Sequence, residues 1–553
     1  MSDRFLRYSI FLLASVQLWA QKPVPEAALD VYTPAAFDEE RVAGLFAERL
    51  RANIEGYLQR VDTAKLEKPF RERSSSALDP LSTEGAGLFL MAAAESYDYS
   101  DDPELKAVMD RVARGLIAAQ EPDGYAGVYK GEARWGPGDV LTQASVLMGL
   151  MAYWRSTGDD ASETAAHKMA DLFLSTFGQK KAPADAVALL PGMAELYRSS
   201  GDVRYLNFCK SLAAAVTSTG DGALVMALRG FGLVELYRIT GNDSYLNAAR
   251  QIWQKTEQEH RSVAGLPASS ESLDSCLTLA WFQLTLDLLR LTGQVEYASA
   301  LEATIYNGLF AAQEKNTGGI DAAVPFTGKK KFGHGTDVCT AAAAVGIAEL
   351  PGVVWGRYGY GIAIMGYVPG RTSVRLRRRA SVQLYAEGNY PASGAILLHV
   401  EPSHDIRFPL RFYVPSWTKK FTADVGETHQ IGSPGKFLII DREWRRGDTV
   451  KIAIDMTPSI VSDPATGKRL AVRRGPQLLA LSSSLNARLG DLASVSLDKS
   501  AAATLKQEES TTMPTGLQTY SIVGNESGKT VKLLLIPFSD ATDYRVWLQP
   551  AGM

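Results

Sequence analysis

From about residue 40 to 315, apolar residues recur at three- and four-residue spacing, the period of helices that bury one face. Four of these stretches share one ending: Tyr153-Trp-Arg-Ser-Thr-Gly158, Tyr197-Arg-Ser-Ser-Gly201, Tyr237-Arg-Ile-Thr-Gly241 and Leu289-Arg-Leu-Thr-Gly293. Glycine suits the left-handed backbone that follows a helix end. In the last three copies Tyr205, Tyr245 and Tyr297 open the next helix. The glycines stand 43, 40 and 52 residues apart, so each interval holds one helical hairpin. A hairpin with one apolar face must pack on its neighbours. The length and the missing end-caps predict a closed (α/α)6 barrel over residues 21–370 rather than an open solenoid.

Beyond residue 370 the period becomes two. Ser373-Val-Arg-Leu-Arg, Ala380-Ser-Val-Gln-Leu-Tyr-Ala, Ala395-Ile-Leu-Leu-His-Val and Phe408-Pro-Leu-Arg-Phe-Tyr-Val alternate, and further short runs continue to Tyr544-Arg-Val-Trp-Leu. Closely spaced strands in one block predict a β-sandwich over 371–553, with the Ser-, Thr- and Ala-rich stretch 486–520 its loosest part. No Pro/Ser linker separates the halves, so the sandwich is expected to pack on the barrel.

Charge narrows the partners. Lys and Arg number 58 against 61 Asp and Glu, with no basic stripe, and nucleic acid is not an expected partner. Residues 1–20 place Arg4 and Arg7 before an apolar run, Ile10 to Trp19, and the small Ala20, the order of a secretory signal peptide. That run is too short to span a bilayer. The expected mature protein is periplasmic or secreted and free of the membrane after signal cleavage. Three cysteines follow, an odd count that leaves at least one free thiol. Cys209 lies in a helical pattern and reads as a buried thiol.

Several stretches carry a family resemblance. Ala118-Ala-Gln-Glu-Pro-Asp-Gly-Tyr125, the helix Glu296-Tyr-Ala-Ser-Ala-Leu-Glu-Ala-Thr-Ile-Tyr-Asn-Gly-Leu, Phe408-Pro-Leu-Arg-Phe-Tyr-Val-Pro-Ser-Trp417, Arg442-Glu-Trp-Arg-Arg-Gly-Asp448 and Val472-Arg-Arg-Gly-Pro476 follow in order. Together they resemble the beta-L-arabinofuranosidase-like glycoside hydrolases of family 127, which are six-hairpin glycosidases. The resemblance implies a carbohydrate substrate and a zinc–cysteine site. Its members hold zinc with a Glu-x-Cys pair and a Cys-Cys pair, whose first cysteine is the nucleophile. Here the first element reads Asp274-Ser-Cys276 and the second Asp337-Val338-Cys339. Counted back from Leu350-Pro351-Gly352, Val338 takes the nucleophile's place. Slipped by one, Cys339 becomes the nucleophile and one ligand is missing.

Three readings of Cys276 and Cys339 therefore stand: Zn2+ ligands beside Asp274, one disulfide, or inert core thiols. His334 or Asp337 could complete a zinc set. Glycosidic cleavage usually takes two carboxylates. The candidates are Glu84, which matches a Glu-x-x-Gly stretch opening a helix, Asp139 at a Gly/Pro-rich turn, Glu271, Asp274 and Asp337. Glu271 and Asp274 share a face if their segment is helical. Trp135, Tyr125, Tyr129, Trp355 and His334 are the candidate sugar contacts, since ring faces take sugar C–H groups. The family's pocket histidines have no counterparts, Ser145 and Gly222 standing in two of those places. That motivates two further readings: a degenerate protein that binds glycan without cleaving it, and a uronic-acid glycosidase or lyase. The last uses Asp139 and Glu84 and needs cationic residues such as Arg134 or Arg357 lining the mouth.

Overall fold

The computed structural model describes residues 24–78, 85–178, 182–215, 222–269, 271–376, 380–508 and 517–551. Residues 1–20, expected above to be a signal peptide, and Glu84 lie outside them. Six inner helices form the barrel wall: Ala86–Ser100, Asp139–Thr157, Leu190–Ser200, Ala223–Thr240, Ser275–Thr292 and Val338–Ala348. Neighbours touch in chain order, and the last closes on the first. The fifth, SCLTLAWFQLTLDLLRLT, is buried almost all round, as an inner helix must be. Outer helices such as Asp243–His260 bury one face only, through Leu246, Ala249, Trp253 and Thr256. The first two inner helices approach so closely that a Cβ at Gly87 would lie 2.2 Å from the Ser145 carbonyl carbon. The four repeated glycines take φ of 65 to 72°, as a left-handed helix end requires.

The N-terminal segment laces across the far end of this barrel. Val24, Ala27 and Val31 donate their backbone N–H groups to the carbonyls of Arg198, Arg238 and Arg290, each at 2.8 Å. These helix-end carbonyls would otherwise lack intrahelical donors.

Strands begin earlier than the period-two pattern indicates, because short edge strands carry too few residues to show alternation. Tyr32–Pro34 joins Trp355–Tyr358, Gly361–Ile364, Ile406–Tyr413 and Phe437–Trp444 in a five-stranded sheet. Glu40–Val42 closes the edge of a seven-stranded sheet running through Gly370–Arg375 and Ser381–Gly388 to Thr428–Gly432. The inner faces of these sheets share one hydrophobic core with the barrel. A third sheet, from Ser459–Ser462 to Gln549–Pro550, has a separate core around Leu479, Leu497, Tyr520 and Leu533. Within 486–520, residues 509–516 lie outside the described part, and the rest is turns, the 3-10 helices Leu492–Ser494 and Lys499–Thr504, the strands Val495–Leu497 and Lys506–Gln507, and the first residue of Tyr520–Glu526.

The family-like helix ties barrel to sandwich. Glu302, on Val295–Thr304, accepts from Tyr390 Oη at 2.5 Å, Trp417 Nε1 at 2.7 Å and Tyr413 Oη at 3.3 Å. Asn307 donates to the carbonyls of Ala264 and Pro476 and accepts from Leu478 N at 2.8 Å.

Glu40 is fully buried, and no protein group donates to either carboxylate oxygen. Burial raises its pKa well above the ordinary carboxylate value. Folding then takes up a proton at neutral pH, so Glu40's contribution is complete below the unfolded pKa and is lost as pH rises. Glu40→Gln is therefore expected to remove part of the fall in melting temperature between pH 5 and pH 8. Identical pH slopes for the two proteins, by scanning calorimetry, would refute this.

Candidate functional site

The disulfide Cys276–Cys339 sits where the fifth and sixth inner helices begin. The strand Ser272–Asp274 pairs with Ala323–Pro325 and delivers Asp274 to the N-cap, where it accepts from Leu277 N at 2.8 Å. Asp337 caps the sixth helix, accepting from Thr340 N at 2.9 Å and Thr340 Oγ1 at 2.5 Å. Both capping residues are the type helix starts favour. The caps fix the first turns in parallel and bring the two cysteine Cα atoms to 4.7 Å. Closing a loop of 63 residues, the bond contributes about 4 kcal/mol by chain entropy. An Asp274 oxygen and both sulfurs lie within 4.8 Å of one another. Burial raises the Asp274 pKa; the backbone N–H groups of Leu277 and Cys276 oppose that, and Asp337 adds to it.

Beneath the disulfide a cavity of about 90 Å³ follows the barrel axis. Leu88, Leu141, Leu224, Leu228, Leu279 and Val338 line it, so its wall is chiefly apolar. Its polar side chains are already committed: Ser145 Oγ donates to Thr142 O at 2.7 Å, and Gln283 Nε2 to Glu349 at 2.8 Å.

Most of the other expected site residues are elsewhere. Asp139 is fully buried and accepts from Trp135 N at 2.8 Å and Tyr125 Oη at 3.0 Å, holding the turn before its helix. Tyr125 and Tyr129 are fully buried too, Tyr129 donating to Pro137 O. None of the three lines the axial cavity below the disulfide; their polar atoms serve the turn instead. Trp135 packs edge-on against Phe173, Phe177 and Tyr125 between helices. Trp355 lies fully buried in the five-stranded sheet. Glu271 precedes a strand rather than lying on a helix, so it shares no helical face with Asp274. It pairs instead with Arg469 at 2.9 Å. His334 is exposed near the mouth, with Nε2 2.8 Å from Gly56 O. Arg134 is bound to Glu121 and Asp123 and lies over Tyr125, while Arg357 reaches Thr33 in the sheet. Neither lines the axial cavity below the disulfide. Cys209 is buried as expected, its thiol pushed up to about 12 by burial.

Sequence and structure comparisons place this geometry. The pattern described as "Beta-L-arabinofuranosidase, GH127 catalytic domain" matches residues 44–331, more than half the chain, and the GH127 middle domain matches 361–456. The chain belongs to glycoside hydrolase family 127. It is thus a glycoside hydrolase, of a family that acts on O-glycosyl bonds. A non-reducing end beta-L-arabinofuranosidase of Bifidobacterium longum subsp. longum is 22% identical over 490 residues, covering 70% of this chain and 73% of that protein. In fold, a GH127 beta-arabinofuranosidase matches with TM-score 0.80 at 20% identity, over 94% of this chain and 98% of that one. A GH127 beta-L-arabinofuranosidase from Geobacillus stearothermophilus T6 gives 0.79 at 16%, over 92% and 100%. Against the family pattern, this GH127 chain keeps a carboxylate and two sulfurs at the barrel mouth and has Val338 between its second cap and second sulfur.

Proposed function

We propose that this chain is an exported hydrolase of arabinofuranoside-type non-reducing ends, working in a reduced, zinc-loaded state. The convergence of Asp274, Cys276 and Cys339 carries the reading. Its fit to zinc depends on redox state. A disulfide sulfur carries no thiolate charge, whereas two thiolates and a carboxylate are ligand types zinc takes. A dithiol supplies the two electrons and two protons that open the bond. Asp274, Cys276 and Cys339 would then hold the metal, which would supply Lewis-acid chemistry at the barrel mouth. The chain's own residues do the rest. The two N-caps orient the ligands, and the apolar axis below keeps water from the reacting face. Asp337, three residues from the nearest backbone donor it binds, stands beside Asp274 as the second carboxylate.

Incubation with dithiothreitol and zinc is expected to bring out hydrolysis of 4-nitrophenyl β-L-arabinofuranoside, absent from the oxidised protein. Cys276→Ala and Asp274→Ala should abolish it. Zero turnover by folded, reduced protein with one bound zinc would sink the proposal and leave the second reading. That reading is glycan binding without cleavage, favoured by Val338 and the apolar cavity. Export rests on the pattern of residues 1–20. The mature protein is expected to begin at Gln21 on N-terminal sequencing of the exported fraction, and an intact Met1 there would contradict export.

A further inference from the structure

The barrel holds a second chamber at the end opposite the disulfide. There the C-terminal halves of the inner helices surround a cavity of about 550 Å³, within the range of small-molecule sites. Its charges come from one level of the helical repeat. The arginines of the four repeated turns are already engaged. Arg155 pairs with Glu195, and Arg198 with Glu235 at 2.8 Å. Arg238 binds Asp287 at 2.9 Å and also Asp30, which Arg290 meets at 2.9 Å.

Three carboxylates facing the chamber have no such partner. Among the described residues, no cation lies within ion-pair distance of Glu95, Asp98 or Glu349. Glu349 accepts one hydrogen bond, from Gln283. Oε2 of Glu95 is buried and has no hydrogen-bond partner. Burial raises the Glu95 carboxyl well above its ordinary value, with Glu349 adding to it, and pushes Glu349 up to about 7. Holding these acids together therefore costs free energy that a bound cation would recover.

The rest of the wall is apolar, with Met91, Leu286 and Phe37 on it. Met148, Pro191, Phe231 and Gln283 line both this chamber and the axial cavity, so the two meet at a waist. The acidic chamber thus opens inward onto a narrow apolar passage. An anion would meet surplus negative charge. A neutral sugar would leave the three carboxylates uncompensated. A metal ion would need converging ligand atoms, and among the described residues such a group occurs at the disulfide and not here.

We propose that the lower chamber binds an organic ammonium ion bearing an aliphatic group, its head among Glu95, Asp98 and Glu349 and its tail through the Met148–Phe231 waist. The ring of Phe231 gives the aliphatic tail an apolar face at that waist. The ligand enters from the end laced by residues 24–34, away from the Cys276 mouth, and its charged head stays at that end.

The test is calorimetric titration of the mature full chain with n-hexylammonium chloride. One site per chain is expected. Glu349→Gln and Glu95→Gln should each weaken it at least tenfold while melting no lower than the parent, since each removes a like charge. Phe231→Ala should weaken hexylammonium more than methylammonium. Four results would each overturn the proposal: no binding to folded protein; equal binding of 1-hexanol, which needs only an apolar pocket; equal competition by calcium chloride; or unchanged affinity in both glutamine variants.

Discussion

Glu302→Ala is expected to remove at least about 2 kcal/mol of stability, read as a lower urea midpoint. Two donors depend on this carboxylate, the Tyr390 hydroxyl and the indole N–H of Trp417, while the Tyr413 hydroxyl, 3.3 Å away, also reaches Ser299 Oγ at 3.0 Å. They come from the sandwich, while Glu302 stands on a barrel helix. Each donor left unsatisfied in the interior costs about 1–3 kcal/mol, and alanine can accept from none of them. The carboxyl is itself held above its ordinary pKa by burial, against which these same donors act. Glutamine keeps one acceptor oxygen and nearly the same volume, so Glu302→Gln should lose less than half as much. The comparison separates the hydrogen bonds from the packing. Should Glu302→Ala unfold at the wild-type midpoint, the two halves are held by the shared hydrophobic core alone, and this junction is incidental.

The same residue shows why part of the molecule was legible in its sequence and part was not. The barrel could be read because its signals are local. A helix that ends at Gly201 or Gly241 needs a left-handed residue there, and glycine announces it wherever the helix packs. The capping aspartates Asp274 and Asp337 are local signals too, but the sequence offers them equally as catalytic or metal-binding carboxylates, and their caps show only in the structure. What joined the two cysteines could not be read, since a metal pair, a disulfide and two core thiols require the same spacing. Burial direction was the larger loss. The Gly/Pro-rich surroundings of Asp139, Tyr125 and Tyr129 signal a turn correctly, but not that the turn folds its side chains inward onto one another. The motif helix carrying Glu302 was visible as a resemblance, whereas its partners lie 88 to 115 residues away. The lower chamber had a signal that went unread. One arginine recurs before each repeated glycine, and four like charges at one level of a closed ring must meet acids.

Val338→Cys is expected to raise arabinofuranoside turnover of the reduced, zinc-supplied protein by about a hundredfold or more, the scale on which nucleophile replacements act. Position 338 is the first residue of the sixth inner helix, directly after the Asp337 cap, and its side chain lines the axial cavity beside Cys276. A thiol there would stand next to the group formed by Asp274, Cys276 and Cys339, adding both a fourth ligand, the third sulfur, and a sulfur facing the hollow. Valine and cysteine differ little in volume, so the cavity wall should tolerate the exchange. Two measurements make the result interpretable: zinc stoichiometry by atomic absorption, and the free-thiol count after reduction. Tighter zinc with a gain in turnover means that Val338 occupies the place of a lost nucleophile. Tighter zinc with no gain assigns the attacking sulfur to Cys339, in the slipped register. No change in zinc affinity would mean that position 338 does not face the metal group, and the register counted from Leu350-Pro351-Gly352 would fall with it.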